Sequence, residues 1–404
     1  MNRWGRWRTG WLSLLALGLA SCSSVSVLAP VADLQDRKVL TSEPTSALST
    51  QHDTLLRTLL EWDQTQPLRV AQVQVGARWE PQQWRSLPGL SREGLLGVWP
   101  AWQAVCSHPT QGRSATCKQV QELQKKTDDE RLTWLLTQWQ PMRVLNISGS
   151  AEPGLLTGYY EPHMKARRLP DSEHQVALYA TPDGWRSQPG QIWFSRAEAE
   201  QDPRAQQALQ GKALVWMRDP IDALILQIQG SGRLDVQEPD GSVRTVRLAF
   251  AGHNGHPYRS VAKPLLDSGK IAAGSWEHMR AWAAQQDIQT VKSWIHSNPR
   301  LVFFKEVPLL NLEQGPVGAH ATPLWPGRSI AVDRNSILLG QPVWLSSIGP
   351  QTSLNKLVMA QDTGAAIVGA VRADYFAGWG DEAYQLASRL KQPLSLWTLV
   401  PRAP

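Results

Sequence analysis

Residues 357–380, LVMAQDTGAAIVGAVRADYFAGWG, hold the pattern that decides the fold. An apolar run leads to Asp362 and a turn containing Gly364, and a second apolar run leads to Asp374. Both aspartates therefore follow strand-like segments, and the turn between them would let them face one cleft. The alternative is that each aspartate caps its own turn, as Asp commonly does. The pattern predicts two strands and a candidate pair of carboxylates.

Two further features lie close to this segment. Asp333 ends the apolar run in SIAVDRNSI, so a third carboxylate follows a strand-like segment. Gly378, Trp379 and Gly380 come after the second run and predict a flexible loop that carries an aromatic ring. We expect Trp379 to offer that ring to a ligand at the mouth of the cleft.

The first third of the chain differs from the rest in its apolar spacing. DTLLRTLLEW places leucines at helical spacing, and Thr127 followed by three acidic residues is typical of a helix start. Residues 50–150 are therefore predicted to be mainly helical.

From Gly154 onward the chain has the pattern of short strands separated by turns. GLLTGYYEP, IWFSR, KALVWMRD and DALILQIQGSGRLDV are predicted strands, and the runs on either side of PDG at 239–241 predict a hairpin. Helices are predicted after Ser195, which opens a capping-box pattern, and within residues 275–299. Since the later segments are again β-rich, the sequence predicts a mainly β protein with helical additions, an α+β fold class.

The N-terminus carries an export pattern. Eleven mostly apolar residues, GWLSLLALGLA at 10–20, follow three arginines. A run this short fits a secretory signal, because a membrane span needs about 20 apolar residues. The small residues before Cys22 resemble the lipobox of bacterial lipoproteins, and Ser23 after it is typical of lipoproteins sent to the outer membrane. We predict a signal peptide at 1–21, lipidation of Cys22 and a tether at 22–49. An ordinary signal peptide with an incidental cysteine is the alternative.

Composition excludes some classes of function. The net charge of +6 is spread along the chain, and no lysine- or arginine-rich run marks a nucleic-acid site. We therefore expect no nucleic-acid partner. The 20 tryptophans greatly outnumber the 5 phenylalanines, so many should be core residues, while some could form flat platforms in a groove.

Cysteines and histidines give no metal pattern. Cys106 and Cys117 lie in a polar stretch, and an exported protein meets an oxidising compartment, so they are candidates for a disulfide, with two free thiols as the alternative. His253, His256 and His320 do not make a complete ligand set. We expect no metal and no cofactor.

A family resemblance rests on seven stretches that follow one another in order. They are TGYYEP at 157–162, LQIQGSGRL at 226–234, AGHNGHPYRSVAK at 251–263, NPRLVFFKE at 298–306, SIAVDR, QDTGAAI and RADYFAGWG. Together they resemble the membrane-bound lytic murein transglycosylase A family, and the resemblance covers about residues 150–400.

The resemblance implies an architecture. The family has a three-aspartate double-psi β-barrel domain with a smaller inserted β domain and a substrate groove between them. In this chain the barrel domain would combine residues 50–160 with residues 306–404, and the insertion would run over 161–305. The three aspartates map onto Asp333, Asp362 and Asp374.

The resemblance also implies a reaction. Its enzymes cleave the bond between N-acetylmuramic acid and N-acetylglucosamine in peptidoglycan without water and leave a 1,6-anhydro end. Asp374 stands where the family has its catalytic acid and base. Asp362 is the second catalytic candidate: it could raise the pKa of Asp374, hold Asp374 in place or hydrogen-bond the sugar, and the sequence does not separate these roles. Asp333 would contribute to binding the sugar.

Other polar and aromatic side chains are expected to hold the glycan. Tyr159 and Tyr160 could stack on a sugar, although strand neighbours point to opposite sides, so one of them should face the core. Gln229 and Ser231 offer an amide and a Gly-rich backbone, with a tight glycine turn as the alternative for Ser231. Lys305 could meet a carboxylate of the substrate; a solvated surface lysine is the alternative.

The expected partners follow from this interpretation. They are peptidoglycan glycan strands and cell-wall synthases. Lipidated Cys22 would anchor the protein at the periplasmic face of the outer membrane. The chain is expected to be a monomer. Two alternatives on the same scaffold stay open. One is a glycoside hydrolase that uses Asp362 as a base for water, and the other is a glycan-binding lipoprotein without activity.

Overall fold

The computed structural model describes residues 53–150, 153–309, 311–350 and 352–402. The predicted signal peptide, Cys22, the rest of the predicted tether and residues 50–52 of the predicted helical region lie outside the described residues. Within the described ranges, no helix is both long enough and apolar enough to cross a membrane.

Short helices form the described N-terminal part, and side chains cap four of the five at their N-termini. Thr127 caps the last of them, as expected from the sequence, and its hydroxyl and the Glu130 carboxylate form a reciprocal capping box that was not predicted. The prediction of a mainly helical region omitted three strands. The helices are α1 (Thr54–Gln64), α2 (Arg92–Leu96), α3 (Trp99–Cys106), α4 (Ala115–Leu123) and α5 (Asp128–Gln138); the strands are β1 (Gln72–Val73), β2 (Arg78–Pro81) and β3 (Trp139–Leu145).

Tryptophans build the core of this part. Five pairs among the rings of Trp99, Trp102, Trp134 and Trp139 have centroids 5.3 to 6.0 Å apart, at tilted or edge-on angles. Aromatic pairs in such geometry stabilise a fold beyond their buried area, by about 0.5–1.5 kcal/mol each. For these four residues the core explanation of the high tryptophan content is confirmed.

The middle of the chain forms a second sheet covered by helices. The sheet runs in the order β10-β9-β8-β5-β7-β6, and β8 and β9 form the predicted hairpin. Its strands are β5 (His163–Arg167), β6 (Val176–Tyr179), β7 (Ala213–Met217), β8 (Ser231–Gln237), β9 (Val243–His253) and β10 (Val302–Val307). Its helices are α6 (Arg196–Gln201), α7 (Pro203–Leu209), α8 (Pro220–Gln229), α9 (Ala262–Asp267), α10 (Trp276–Ala283) and α11 (Ile288–His296).

Two predicted strands in this region are wrong. IWFSR forms no strand, and most of DALILQIQ belongs to helix α8. The Asp219 side chain caps α8, Pro220 opens it, and Gly230 ends it with a left-handed φ of 82°. Because α8 is buried on several sides, its apolar residues form a continuous run that also fits a buried strand.

The C-terminal strands complete the barrel. They are β11 (Ser329–Val332), β12 (Pro342–Ile348), β13 (Ser353–Asp362), β14 (Arg372–Trp379) and β15 (Lys391–Pro401), with α12 (Gly380–Arg389) between the last two. β4 (Gly154–Glu161) pairs with both β14 and β15, so the described strands β15-β12-β13-β11-β14-β4 pair in a closed ring. This ring is the expected barrel.

Helix α12 lies against β4 because Gly158 leaves room for it. A Cβ at Gly158 would come within 2.8 Å of the Ala387 Cα, a distance that real Cβ atoms essentially never show. This helix was not predicted from the sequence. Gly378, Trp379 and Gly380, predicted as a flexible loop, are instead the end of β14 and the start of α12.

Candidate active site

Strand pairing brings Asp362 and Asp374 into one row. Ala331 on β11 pairs with Asp362 of β13 on one side and with Asp374 of β14 on the other. Asp374 in turn pairs with Thr157 of β4. A β-bulge, with Gln361 as the extra residue, shifts the register so that Asp362 rather than its neighbour meets Ala331. Directly paired residues point to the same face of a sheet, so both carboxylates face the same side.

Asp374 is a carboxyl group whose protonated form is favoured. Burial raises the pKa of Asp374 to about 6, and the nearby charge of Asp362 adds to the rise. The Thr157 hydroxyl donates to Asp374 Oδ1 over 2.5 Å, and Arg372 donates to the Thr157 oxygen over 2.9 Å. These two neighbours act in the opposite direction and lower the pKa. In the described part of the chain, Oδ2 of Asp374 has no hydrogen-bond partner, so it is available to a bound molecule.

Asp362 is held in place by several donors. The backbone N–H groups of Ala319 and Thr363 both donate to Oδ1 over 2.9 Å, and the Tyr159 hydroxyl donates to Oδ2 over 3.0 Å. Burial raises the pKa of Asp362, and these three hydrogen bonds oppose the rise. The two aspartates therefore differ: Asp362 is immobilised, while Asp374 keeps a free oxygen.

The Asp333 carboxylate stabilises a turn in this structure by accepting hydrogen bonds from backbone N–H groups. Its Oδ1 accepts from the Asn335 N–H over 3.0 Å, and its Oδ2 accepts from the Gly369 N–H over 2.9 Å. Asp333 thus ties its own turn to the loop between β13 and β14. This contact is the turn-capping alternative that the sequence left open.

The two neighbouring tyrosines point to opposite sides of β4, as strand geometry requires. The Tyr159 hydroxyl meets Asp362, whereas the Tyr160 ring lies 5.4 Å from the Tyr384 ring on α12. Gln229 accepts from the Tyr160 N–H over 3.2 Å, and both residues line a separate cavity of about 170 Å³. The structure therefore brings Tyr159 to the aspartates and places Tyr160 and Gln229 elsewhere.

The other predicted binding residues lie on the inserted sheet or beside it. Ser231 is buried at the start of β8, and Lys305 is exposed on β10. Trp379 is half-buried, and the Arg233 guanidinium lies 3.9 Å from the centre of its ring. One face of Trp379 is therefore occupied by a cation from the inserted sheet.

A buried ion-pair network, which was not predicted from the sequence, joins the two sheets. Glu161, at the end of β4, is fully buried and accepts from Arg233 over 2.9 Å and from Arg247 over 2.5 and 3.1 Å. Both arginines also donate to the Gln314 carbonyl, at 3.1 and 2.7 Å. Glu161 and Gln314 lie where the chain enters and leaves the inserted sheet, so the network, here called the crossing network, connects both passages.

Thr157 and Arg372 were also missed, although each had a local signal. Each lies two residues before a residue that the sequence analysis named, Tyr159 and Asp374. Residues two apart on a strand share a face. That rule could have placed both side chains beside the carboxylates.

The three histidines each have other partners. The His253 ring accepts from the Gly255 N–H over 2.9 Å, and the His256 ring lies 2.9 Å from the Trp193 carbonyl oxygen. His320 bonds to Thr322 and Gln111. Across the described ranges, no group of three or more His, Cys, Asp or Glu side chains could hold a metal ion.

The predicted disulfide pair is joined in the structure. The sulfur atoms of Cys106 and Cys117 are bonded, with their Cα atoms 5.2 Å apart. The bond closes the segment between α3 and α4. Side chains of this segment contact the barrel close to Asp362.

Family profiles match two parts of the chain. The profile of the MltA specific insert domain matches residues 155–305, and the profile of the 3D domain matches residues 328–400. The first match spans the inserted sheet, and the second contains all three aspartates.

Similar proteins share one description. The solved lytic transglycosylase LtgG of Burkholderia pseudomallei is 38% identical, with 83% of this chain and 98% of that chain covered and a TM-score of 0.56. The crystal structure of E. coli MltA with bound chitohexaose is 25% identical, covers 81% of this chain and 95% of that one, and has a TM-score of 0.63. The membrane-bound lytic murein transglycosylase A of Escherichia coli K12 is 32% identical over 253 residues, which are 60% of this chain and 64% of that relative. The match thus spans less than two thirds of that relative's length.

Proposed function

Because the chain belongs to the membrane-bound lytic murein transglycosylase A family, we propose that it cleaves peptidoglycan glycan strands with Asp374 as its single acid and base. The observation that carries the proposal is the carboxyl group of Asp374. Its pKa is raised to about 6 by burial, and its Oδ2 is free in the described part of the chain. Such a group can be protonated when substrate binds and can ionise during the reaction.

The reaction proceeds in two proton transfers. Protonated Asp374 gives its proton to the glycosidic oxygen between N-acetylmuramic acid and N-acetylglucosamine, and the bond from C1 to that oxygen breaks. The C6 hydroxyl of the same muramic acid attacks C1 and closes a 1,6-anhydro ring. The Asp374 carboxylate takes the proton from this hydroxyl. Because the nucleophile belongs to the substrate, its high effective concentration replaces the second carboxylate of an ordinary glycosidase.

Asp362 acts as a fixed negative charge in this mechanism. Its three donors hold it beside Asp374, where its charge favours the protonated form of Asp374. A hydrolase would instead need Asp362 to bind and deprotonate a water molecule, although three donors already take up three of its roughly four lone-pair positions. This occupancy favours the transglycosylase over the hydrolase.

Glycan binding is supported by a relative and by the fold. The E. coli MltA structure contains chitohexaose, a chain of N-acetylated sugars. The strands of the second sheet lie between His163 and Val307, which supports an insertion at about 161–305 and a groove beside the aspartates. In this proposal Tyr159 contacts the sugar near Asp374, and Asp333 accepts from a sugar hydroxyl through the lone pairs that its two backbone donors leave free. Trp379, Ser231 and Lys305 lie further towards the inserted sheet, while Tyr160 and Gln229 support β4.

The products of the reaction test the proposal. Purified peptidoglycan is incubated with the purified chain, and the soluble products are analysed by mass spectrometry. We expect muropeptides with 1,6-anhydro ends. Products with reducing ends would make the protein a hydrolase, and glycan binding without products would make it a binding protein.

The rate of cleavage is expected to fall as pH rises through about 6. A carboxyl with a raised pKa is protonated below that pKa, and only the protonated form can begin the reaction. Replacing Asp362 by Asn removes a nearby negative charge, which lowers the pKa of Asp374, so the midpoint should move to lower pH. The measurement is kcat/KM against pH for both proteins. A rate that increases through pH 6, or an unmoved midpoint in D362N, would contradict the assignment.

Membrane attachment rests on Cys22. We infer that the chain is anchored by acyl groups on Cys22 at the periplasmic face of the outer membrane, where cell-wall synthases are candidate partners. The small residues before Cys22 and the membrane-bound relatives support this inference. In cells given a labelled fatty acid, the wild type should carry label and sediment with the outer membrane. The Cys22→Ala variant should lose the label; retained label would place the lipid on another residue.

A further inference from the structure

A chain of side-chain hydrogen bonds leads from the disulfide-closed segment into the barrel. Gln111 lies in the 3-10 turn Gln111–Arg113 between the two cysteines, and its amide oxygen bonds to His320 Nε2. His320 Nδ1 lies 3.0 Å from the Thr322 hydroxyl. The same hydroxyl oxygen accepts from the amide of Gln361 over 3.1 Å. Gln361 is the bulge residue that directly precedes Asp362.

Each hydrogen bond in this series has one donor and one acceptor, so a single arrangement of protons satisfies all of them. The oxygen of Gln111 can only accept, so His320 Nε2 carries the proton and donates. Nδ1 of the neutral ring then accepts from the hydroxyl of Thr322, whose oxygen accepts from Gln361. Burial and the neighbouring His108 lower the pKa of His320, which favours this neutral ring. The chain, here called the His320 relay, is thus fully satisfied.

The relay encloses a strained turn. Ala321 has a φ of 60°, and in the described ranges it is the non-glycine residue with a left-handed backbone. Such a conformation costs free energy and persists where its surroundings hold it. The turn donates two backbone N–H groups to the barrel: Ala319 to Asp362 Oδ1, and His320 to the Gln361 carbonyl, both over 2.9 Å. The position of Asp362 therefore depends on this turn.

The disulfide-closed segment supports the turn from outside the barrel. The His108 ring lies 4.9 Å from the His320 ring, and the Gln111 side chain packs over Gly340, where an added Cβ would come within 2.5 Å of it. The bond between Cys106 and Cys117 limits the conformations open to the segment that carries both side chains. The support of the turn is therefore covalently restrained.

We propose that the disulfide-closed segment 106–117 is a positioning element for Asp362, and that Gln111 and His320 are its positioning residues. The inference rests on the function proposed above. It deepens that function by making the rate of cleavage depend on a disulfide outside the barrel. Neither residue touches the substrate; both act through the turn at 318–322 and through Gln361.

Two substitutions of Gln111 test the relay. Gln111→Met preserves size but removes the oxygen that His320 needs, whereas Gln111→Glu keeps an oxygen in the same place. We expect kcat to fall about 10-fold in the Met variant with KM within about 2-fold of wild type. A misplacement of about 1 Å can cost about 100-fold in rate, and the displacement of Asp362 expected here is smaller. The Glu variant should recover most of kcat. Gln119→Met is the control. Gln119 lies on α4 and accepts a hydrogen bond from the Trp134 indole N–H, so this substitution also removes an amide acceptor but should leave kcat unchanged.

Hydrogen–deuterium exchange separates the inference from the proposed function. Peptides that span residues 316–323 should exchange faster in Gln111→Met and in the double variant Cys106→Ala, Cys117→Ala than in wild type or Gln119→Met. Unchanged exchange in both variants, or an equal loss of kcat in the Met and Glu variants, would overturn the relay. Faster exchange in a protein whose wild type yields no anhydro products would support the relay and reject the transglycosylase.

Discussion

Replacing Asp374 by Asn is expected to reduce the rate of glycan cleavage by about 10³-fold or more while the fold is retained. General acid and base catalysis each contribute up to about 10⁴-fold, and here one carboxyl performs both steps. Asn has the same shape and can still accept from Thr157, but it cannot transfer a proton. The measurement is the initial rate of release of anhydro-muropeptides at pH 5, where the wild-type carboxyl is protonated.

The control for this prediction lies on the next helix. Asp381 is exposed in the first turn of α12, so Asp381→Asn should keep the rate within about 2-fold, since surface substitutions away from special features have small effects. A D374N protein with more than about a tenth of the wild-type rate would show that another residue transfers the proton.

Thermal unfolding shows whether the loss of activity is a loss of fold. The pKa of Asp374 is raised from 3.8 to about 6 in the folded protein, so its stabilising contribution is present below 3.8 and is lost as pH rises through 6. Asn does not ionise and keeps its contribution. The melting temperature of D374N relative to wild type should therefore increase between pH 4 and pH 8. If the melting temperature of D374N were well below that of wild type at pH 8, the loss of activity would be due to unfolding.

Replacing Glu161 by Gln is expected to lower the free energy of unfolding by about 3–5 kcal/mol. Removing one partner of a buried ion pair leaves the other charge without compensation, and that penalty is large. In this protein two guanidinium groups would share the loss, because Arg233 and Arg247 both bind Glu161. The measurement is unfolding in guanidinium chloride, followed by tryptophan fluorescence.

An exposed ion pair provides the matched control. Lys263 and Asp267 lie 2.8 Å apart with side chains that are 73% and 59% exposed. Exposed pairs contribute about 1 kcal/mol or less, so Asp267→Asn should change stability by no more than that. If E161Q were as mild as this control, water would have to reach the arginines of the crossing network, and the burial of Glu161 would be wrong.

Local patterns in the sequence predicted much of the fold. The N-cap at Thr127, the capping box at Ser195, the hairpin between β8 and β9, and the two strands that carry Asp362 and Asp374 depend on residues close together in the chain. Local rules failed for α8, whose apolar run fits a strand as well as a helix, and for Trp379, whose ring finds its partner on the inserted sheet.

The composition of the site could be predicted only in part. Asp362 and Asp374 were named from spacing and resemblance, but Thr157 lies 217 residues before Asp374 in the chain. Its contact depends on the register between two parallel strands, which no local pattern specifies. The donors to Asp362 depend in the same way on a bulge and on a strained turn. The crossing network could not be predicted either, because its residues meet only where the chain passes between the two sheets.

The closed ring of barrel strands has a consequence for how the chain folds. β4 pairs with β14 on one edge and with β15 on the other, and both of these strands lie more than 200 residues later in the sequence. Both edges of β4 therefore stay unpaired until these late strands have folded against it. The sheet of β5–β10 contains only residues from within that interval, so it can assemble first and shorten the loop that barrel closure must order. Refolding should therefore show a fast phase from the inner sheet and a slow phase from the ring. During the interval between them, the open edge of β4 is the part of the molecule most prone to pair with another chain.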